Sequence, residues 1–251
     1  MNPVSPSDSV EERVARFHEL VSRADPEVLA KFNLRFDISW IYHDSAIEGV
    51  VYTQEELFAA MHHQPVTDPA MLPAYDEIRQ HKAAIDLIRE MAEKKKAPIT
   101  LDTIKHIYCA LAPEDNEAKG PPKYRKEMPV HRLYFHEITT PDKISPKLRQ
   151  LVDWVNSPEA KRATHPVRLA AKAHHQLLQI YPFSKHSGKV ARLFMNLLLL
   201  RNGFPPAVIH STERQQYYEA LRGDPNEVAS LVHAAFRSSI DSAVKFLETV
   251  V

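Results

Sequence analysis

Lys185, Ser187, Gly188, Lys189 and Arg192 fall within one short stretch, which runs from the turn Tyr181-Pro182-Phe183-Ser184 into the apolar run Leu193–Leu200. A helix beginning near Ser187 has unpaired N–H groups in its first turn, and the macrodipole adds positive potential there. Ser187 is a residue type that caps such a start, and Gly188 lets a ligand approach the backbone. With Lys185, Lys189 and Arg192 nearby, the stretch has the makings of a phosphate site that needs no metal ion. The plainer alternative is a surface turn with solvated lysines. Ser187-Gly188-Lys189 also occurs in phosphate-binding P-loops, but the glycines that must precede it are missing.

The other titratable groups read mostly as structure. His174 and His175 are adjacent, so they face different sides of a helix and cannot chelate one metal ion. His174 shares a face with Ala170, Ala171, Leu177 and Leu178, which predicts a hydrogen-bonded core histidine. His186 stands on the turn, one helical turn from the Tyr181 position. Tyr217 and Tyr218 can stack on a base or pack in a core. Cys109 is the sole cysteine, so no internal disulfide can form, and its apolar helical setting predicts a buried, inert thiol.

These groups must be positioned by helices. Only 5 glycines occur in 251 residues, too few for a sheet protein with many tight turns. Apolar spacing predicts helices over about 10–22, 26–43, 55–62, 72–95, 100–111, 145–155, 166–180, 187–202, 213–221 and 225–248. Leu29, Phe32, Phe36, Trp40 and Ile41 line one face of the second. Thr53 and Glu56 form a capping box for the third, and Lys94–Lys96 suit the C-terminal dipole of the fourth. Pro113 to Pro122 reads as a connector. The one extended segment is Tyr124–Phe135, where Met128-Pro129-Val130 and the following β-formers fit a short hairpin.

Composition narrows the function classes. The formal net charge is +0, so no overall electrostatic footprint for nucleic acid or anionic membrane exists. The first residues lack the basic and apolar regions of a signal peptide. The run Leu193–Leu200 is too short to span a bilayer. With a single cysteine, a cytoplasmic protein is the expectation.

The turn as a whole resembles the signature of the Fic (Fido) family, His-Pro-Phe-x-Asp/Glu-Gly-Asn-Gly-Arg-x-x-Arg. Pro182, Phe183, Gly188 and Arg192 match it. Tyr181 stands at the base histidine, Lys185 at the metal-binding acid, His186-Ser187 at Gly-Asn, and Lys189 at the first arginine. Thr164–Ile180 is similar to the family's preceding helix, Arg192–Pro206 to its core helix, and Gln216–Leu221 to the helix near the adenine. Lys123-Tyr124-Arg125 followed by Val130 resembles the flap that holds a target segment. Asp44-Ser45-Ala46-Ile47-Glu48-Gly49 resembles the inhibitory motif Ser/Thr-x-x-x-Glu-Gly/Asn, with Asp44 at the Ser/Thr position. The resemblance implies an all-α, mainly helical Fic/Fido fold with one short β-hairpin flap, divided into an N-terminal extension (1–65) and a Fic-like core (66–251).

In that family the histidine takes a proton from a target hydroxyl, the acid holds Mg²⁺ on ATP, and the arginines bind phosphate. The inhibitory glutamate pairs with the second arginine. At a reference pKa near 10, roughly 0.1 % of a phenol such as Tyr181 is ionised at pH 7, which forfeits a base contribution of about 10²–10⁴. An ammonium about 5 Å from Mg²⁺ costs on the order of 6 kcal/mol at an effective dielectric of about 20. The expectation is therefore a pseudoenzyme or binding protein that keeps an anion or nucleotide-phosphate site formed by Ser187, Gly188, Lys189, Arg192, Tyr217 and Tyr218. Its ligand is a phosphate or nucleotide such as ATP, bound without metal. Its partner is a protein segment along the flap at Tyr124, Arg125 and Val130, and a homodimer is left open. The alternatives are a non-standard transferase in which Lys185 replaces the metal, and a purely structural protein. Glu48 is expected to pair with Arg192.

Overall fold

The helices begin where side chains replace the missing backbone partners. In the computed structural model, which describes residues 9–66, 68–117, 122–129 and 138–250, Ser9 and Glu12 form a capping box ahead of α1 (Val10–Arg23). Thr53 and Glu56 do the same for α3 (Gln54–Met61), and Thr100 with Thr103 for α5 (Leu101–Leu111). Proline opens α2 (Pro26–Ile47), α8 (Pro158–Ala163) and α9 (Pro166–Ile180), where its fixed φ suits the first turn and its absent N–H costs nothing. The remaining helices are α4 (Leu72–Glu93), α6 (Glu114–Glu117), α7 (Ile144–Asn156), α10 (Ser187–Arg201), α11 (Arg214–Arg222) and α12 (Pro225–Val250).

Helix α10 is the axis of the molecule. Its residues from Lys189 to Leu199 are all buried, as expected of a helix apolar nearly all round. Helices α9, α4 and α5 pack against it, α12 lies on α9, and α1 closes the outer side of α12. Asn196 is the polar exception inside α10. Its amide donates to the Ala207 carbonyl at 3.1 Å and accepts from the Ala207 N–H at 2.8 Å, tying down the chain beyond the helix. Arg13 of α1 is buried and paired with Asp241 of α12.

Three local expectations change. Helix α2 continues past residue 43 to Ile47, so Asp44 lies on the helix itself and Glu48 at its C-cap. The short helices α6 and α8 stand where sequence periodicity gives no signal. Among the described residues there is no strand: Tyr124 and Arg125 lie in irregular chain, and Val130 falls outside the described residues. Regular pairing at 122–129 is replaced by side-chain anchoring. Arg125 binds carbonyls at the end of α9, and Tyr124 packs on Phe183 with ring centroids 5.9 Å apart.

Candidate active site

The turn between α9 and α10 is built from two left-handed residues. Tyr181 (φ 47, ψ 65) ends α9, its N–H reaching the Leu177 carbonyl at 2.9 Å, and His186 (φ 59, ψ 8) precedes α10. Neither is glycine, so each conformation costs on the order of 1 kcal/mol and must be held by its surroundings. Phe183 supplies one hold: it is fully buried and stacks on Tyr108 at 4.0 Å. Ser187 supplies another. Its hydroxyl accepts from the Phe183 N–H at 2.9 Å and donates to the Phe183 carbonyl at 2.8 Å. The expected role of Ser187 as helix cap is thus corrected. It is the first helical residue, and its oxygen closes the loop instead.

Arg125 is the third hold. Its guanidinium donates to the carbonyls of Tyr181 (2.6 Å), Ile180 (3.3 Å), Glu127 (3.0 Å) and Thr139. A buried cation at the C-terminus of α9 satisfies carbonyls that the helix leaves unpaired. Desolvation lowers its pKa, opposed by Tyr181.

The charges expected to meet an anion separate into three environments. Lys185 turns outward to α6, with its ammonium 2.5 Å from Glu114 and 3.6 Å from Asp115, and the Glu114 contact raises its pKa. It stands in for no metal ion. Nor do the surroundings offer a donor set for one, since no group of three or more His, Cys, Asp or Glu is placed to hold a metal among the described residues. Lys189 is buried, 3 % exposed, and has no ion pair or hydrogen bond among the described residues. Arg192 is equally buried and fully engaged.

Two carboxylates of α2 hold Arg192. Its Nε donates to Asp44 Oδ1, one Nη to Glu48 Oε1 at 2.7 Å and to the Asp44 carbonyl at 3.3 Å, and the other Nη to Tyr217 Oη at 3.4 Å. Asp44 Oδ2 lies 3.0 Å from His81 Nε2 of α4, a close polar contact off the line of a good hydrogen bond. Burial opposes the charge on Asp44, but Arg192 and His81 outweigh it and hold the carboxyl below its usual range. For Arg192 likewise, burial opposes the charge and Asp44 overcomes it, raising the pKa. Desolvation lowers the pKa of His81, against the pull of Asp44.

Glu48 covers the start of α10. A Cβ placed on Gly188 would lie 2.3 Å from Glu48 Oε1, so only glycine admits this carboxylate over the helix N-terminus. The expected Glu48–Arg192 pair is present. Tyr181 faces the same space: burial raises its pKa, as does Glu48, while Arg192 and Arg125 lower it.

The tyrosines of α11 do not offer a base-stacking face. Tyr217 is 1 % exposed and its hydroxyl lies 2.9 Å from His174 Nε2 in the core. Tyr218 donates to the Ile47 carbonyl at 3.1 Å and sits under Arg214. Both fasten α11 to the core and to α2. His174 is the core histidine expected, pushed down to about 3 by burial, with Arg192 adding to the effect. Cys109 is half-buried rather than buried, and desolvation raises its pKa. Sequence reasoning missed Asp44 and His81 as partners in this network. Asp44 and Glu48 are four residues apart on one helical face, so the spacing carried a usable signal.

Comparison with known proteins identifies the setting. Residues 98–199 match the sequence model of the Fic/DOC family. The chain is 31 % identical over 185 residues to "Protein adenylyltransferase Fic" of Aedes aegypti, covering 74 % of this chain and 36 % of that protein. It is 28 % identical to the protein of the same name in Nematostella vectensis, covering 72 % and 42 %. The chain thus spans well under half the length of these curated relatives. Among solved structures, a Fic domain containing signaling protein from Bacteroides thetaiotaomicron matches with TM-score 0.81 at 24 % identity over 96 % of this chain and 98 % of that one. Fic-1 of C. elegans (residues 134–508) matches with TM-score 0.77 at 22 % identity, covering 95 % and 73 %. The expectation of a pseudoenzyme or purely structural protein is overturned by these relatives, which are named as adenylyltransferases. The match over residues 98–199, together with the relatives that share it along most of this chain, makes the chain a member of the Fic/DOC family.

Proposed function

We propose that this chain is a protein adenylyltransferase that moves AMP from ATP to a hydroxyl group of a protein target, with pyrophosphate as the leaving group and the hydroxyl proton lost to solvent, and that Glu48 restrains it. The observation that carries the reading is the anion already seated at the start of α10. The Glu48 carboxylate lies against Gly188 and 2.7 Å from Arg192. A site that accepts a carboxylate there suits a phosphate oxygen, because helix N–H groups and the dipole favour any negative charge. Lys189, buried and without a partner among the described residues, adds a positive charge that such a ligand would neutralise. Fixed positive groups that meet charge as it develops on a phosphoryl centre are the main means of catalysis in this class.

Lys185 has no part in this reading, since its charge is spent on Glu114 and Asp115. The residue at the acid position is a lysine, so no side chain at that position would hold a metal ion. The charge on the phosphates is met by Lys189, Arg192 and the first turn of α10. The target segment would lie beside Tyr124 and Arg125, next to Tyr181. No helix of the described residues is long and apolar enough to cross a membrane.

Intact-mass analysis tests this reading. The unmodified protein and its Glu48→Gly variant are incubated with ATP and with lysate proteins, with and without divalent metal. Addition of one adenylyl group to the chain or to a target, faster in the variant and abolished by Lys189→Ala, is the expected result. No transfer by the Glu48→Gly variant under any of these conditions would overturn it.

A further inference from the structure

We infer that Asp44 is a second hold on Arg192, one that keeps the guanidinium turned toward α2 after Glu48 has left. This deepens the proposed function and rests on it for the identity of the phosphate ligand. The two carboxylates on Arg192 differ in kind. The Glu48 side chain is 26 % exposed and stands at the C-cap of α2, where it can swing into solvent. The Asp44 side chain is 3 % exposed, lies within the helix, and contacts Arg192 through both its carboxylate and its main-chain carbonyl. His81, itself 1 % exposed, closes off its second oxygen. Removing Glu48 therefore leaves a buried and electrically balanced Asp44–Arg192 pair rather than a free cation.

The consequence bears on which residues recognise the ligand. A phosphate reaching the start of α10 meets Lys189 as an uncompensated charge but meets Arg192 already neutralised. Its attraction to Arg192 is set by Asp44. In this chain Glu48 governs entry to the site, and Asp44 governs how much of the Arg192 charge the phosphate receives. Asp44 is thus a positioning residue that acts through Arg192 and touches no ligand itself.

Calorimetric titration of ATP and of adenosine into Glu48→Gly and into Glu48→Gly/Asp44→Asn tests this. Asparagine keeps the shape and the acceptor for Arg192 Nε while removing the charge. The double variant should bind ATP about ten- to a hundredfold more tightly than the single variant, and bind adenosine equally well. Equal ATP affinity in the two variants would overturn the inference and leave the proposed function standing. So would a gain shared by adenosine, which carries no phosphate. No ATP binding by either variant would sink both. Should the double variant not fold, the Glu48→Gly protein alone decides. Its Arg192 Nε–H resonance should stay protected from solvent exchange when ATP is added, and loss of that protection would refute the second hold.

Discussion

Replacing Asp44 and Glu48 by alanine, one at a time, should have very different effects on stability, although both carboxylates touch the same guanidinium. Glu48 is partly solvated, and its removal leaves Arg192 paired with Asp44. The loss should be below about 1 kcal/mol, the usual worth of a partly exposed ion pair. Removing Asp44 strands a buried cation whose remaining carboxylate sits on its outer side. It also leaves His81 beside a cavity with no partner. Stranding one member of a buried pair costs about 3–5 kcal/mol. For a domain of this size each kcal/mol moves Tm by about 2–4 °C, so the Asp44→Ala melt should fall by roughly 6–20 °C. Urea titration at pH 7, followed by far-ultraviolet circular dichroism, gives both numbers if the slope m stays constant between variants. Losses within about 1 kcal/mol of one another would refute the argument that depth of burial, not contact with Arg192, sets the cost.

Two further outcomes follow from the charge environments. Acid should destabilise the protein in two steps. His174 is held neutral down to about 3 and His43 down to about 4, chiefly by burial, with Arg192 and His210 respectively adding to it. The unfolded chain therefore binds protons below about pH 6.5 that the folded chain refuses. A fully buried histidine such as His174 then loses about 2 kcal/mol between pH 6.5 and 5. Asp44, whose folded pKa is depressed, contributes stability present above the unfolded value of about 3.9 and lost as pH falls below it, a second and more acidic step. Urea midpoints that stay flat from pH 7 to 5 would contradict the first step. The two lysines of the turn should also separate: Lys185→Ala should leave ATP affinity of the Glu48→Gly protein within about twofold and change stability by less than about 1 kcal/mol. Lys189→Ala should weaken ATP binding by about tenfold or more. Calorimetry that ranks the two the other way would refute the assignment of Lys189 as the ligand-facing charge.

Much of the helical frame was legible because it is written in local patterns. The apolar period placed α4, α9, α10 and α12, and the Thr53/Glu56 box located the start of α3 to within one residue. The pairing of Glu48 with Arg192 came from the family motif rather than from any local signal. What stayed hidden depends on direction in space. Nothing in the sequence around Lys185 says that Glu114 and Asp115 lie across from it, because α6 is too short to give a period. Ser187 beside a glycine at a helix start reads as a cap, yet a left-handed His186 shifts it one position inward and turns its hydroxyl to Phe183. Tyr217 could stack on a base or pack in a core by its sequence setting, and its burial becomes evident only when its contact with His174 is seen.

Arg125 also fixes the footing of the segment that follows it. Its own N–H donates to the Pro182 carbonyl at 2.9 Å, and the N–H of Thr139 donates to the Gln179 carbonyl at 2.9 Å. The guanidinium then bridges from Tyr181 to Thr139. Both ends of the chain between residues 125 and 139 are thereby moored to the last turn of α9, beside Tyr181. The entropy of bringing those ends together has been lost during folding rather than at the moment of recognition. A peptide that docks beside Arg125 would therefore meet two anchors whose separation is already set.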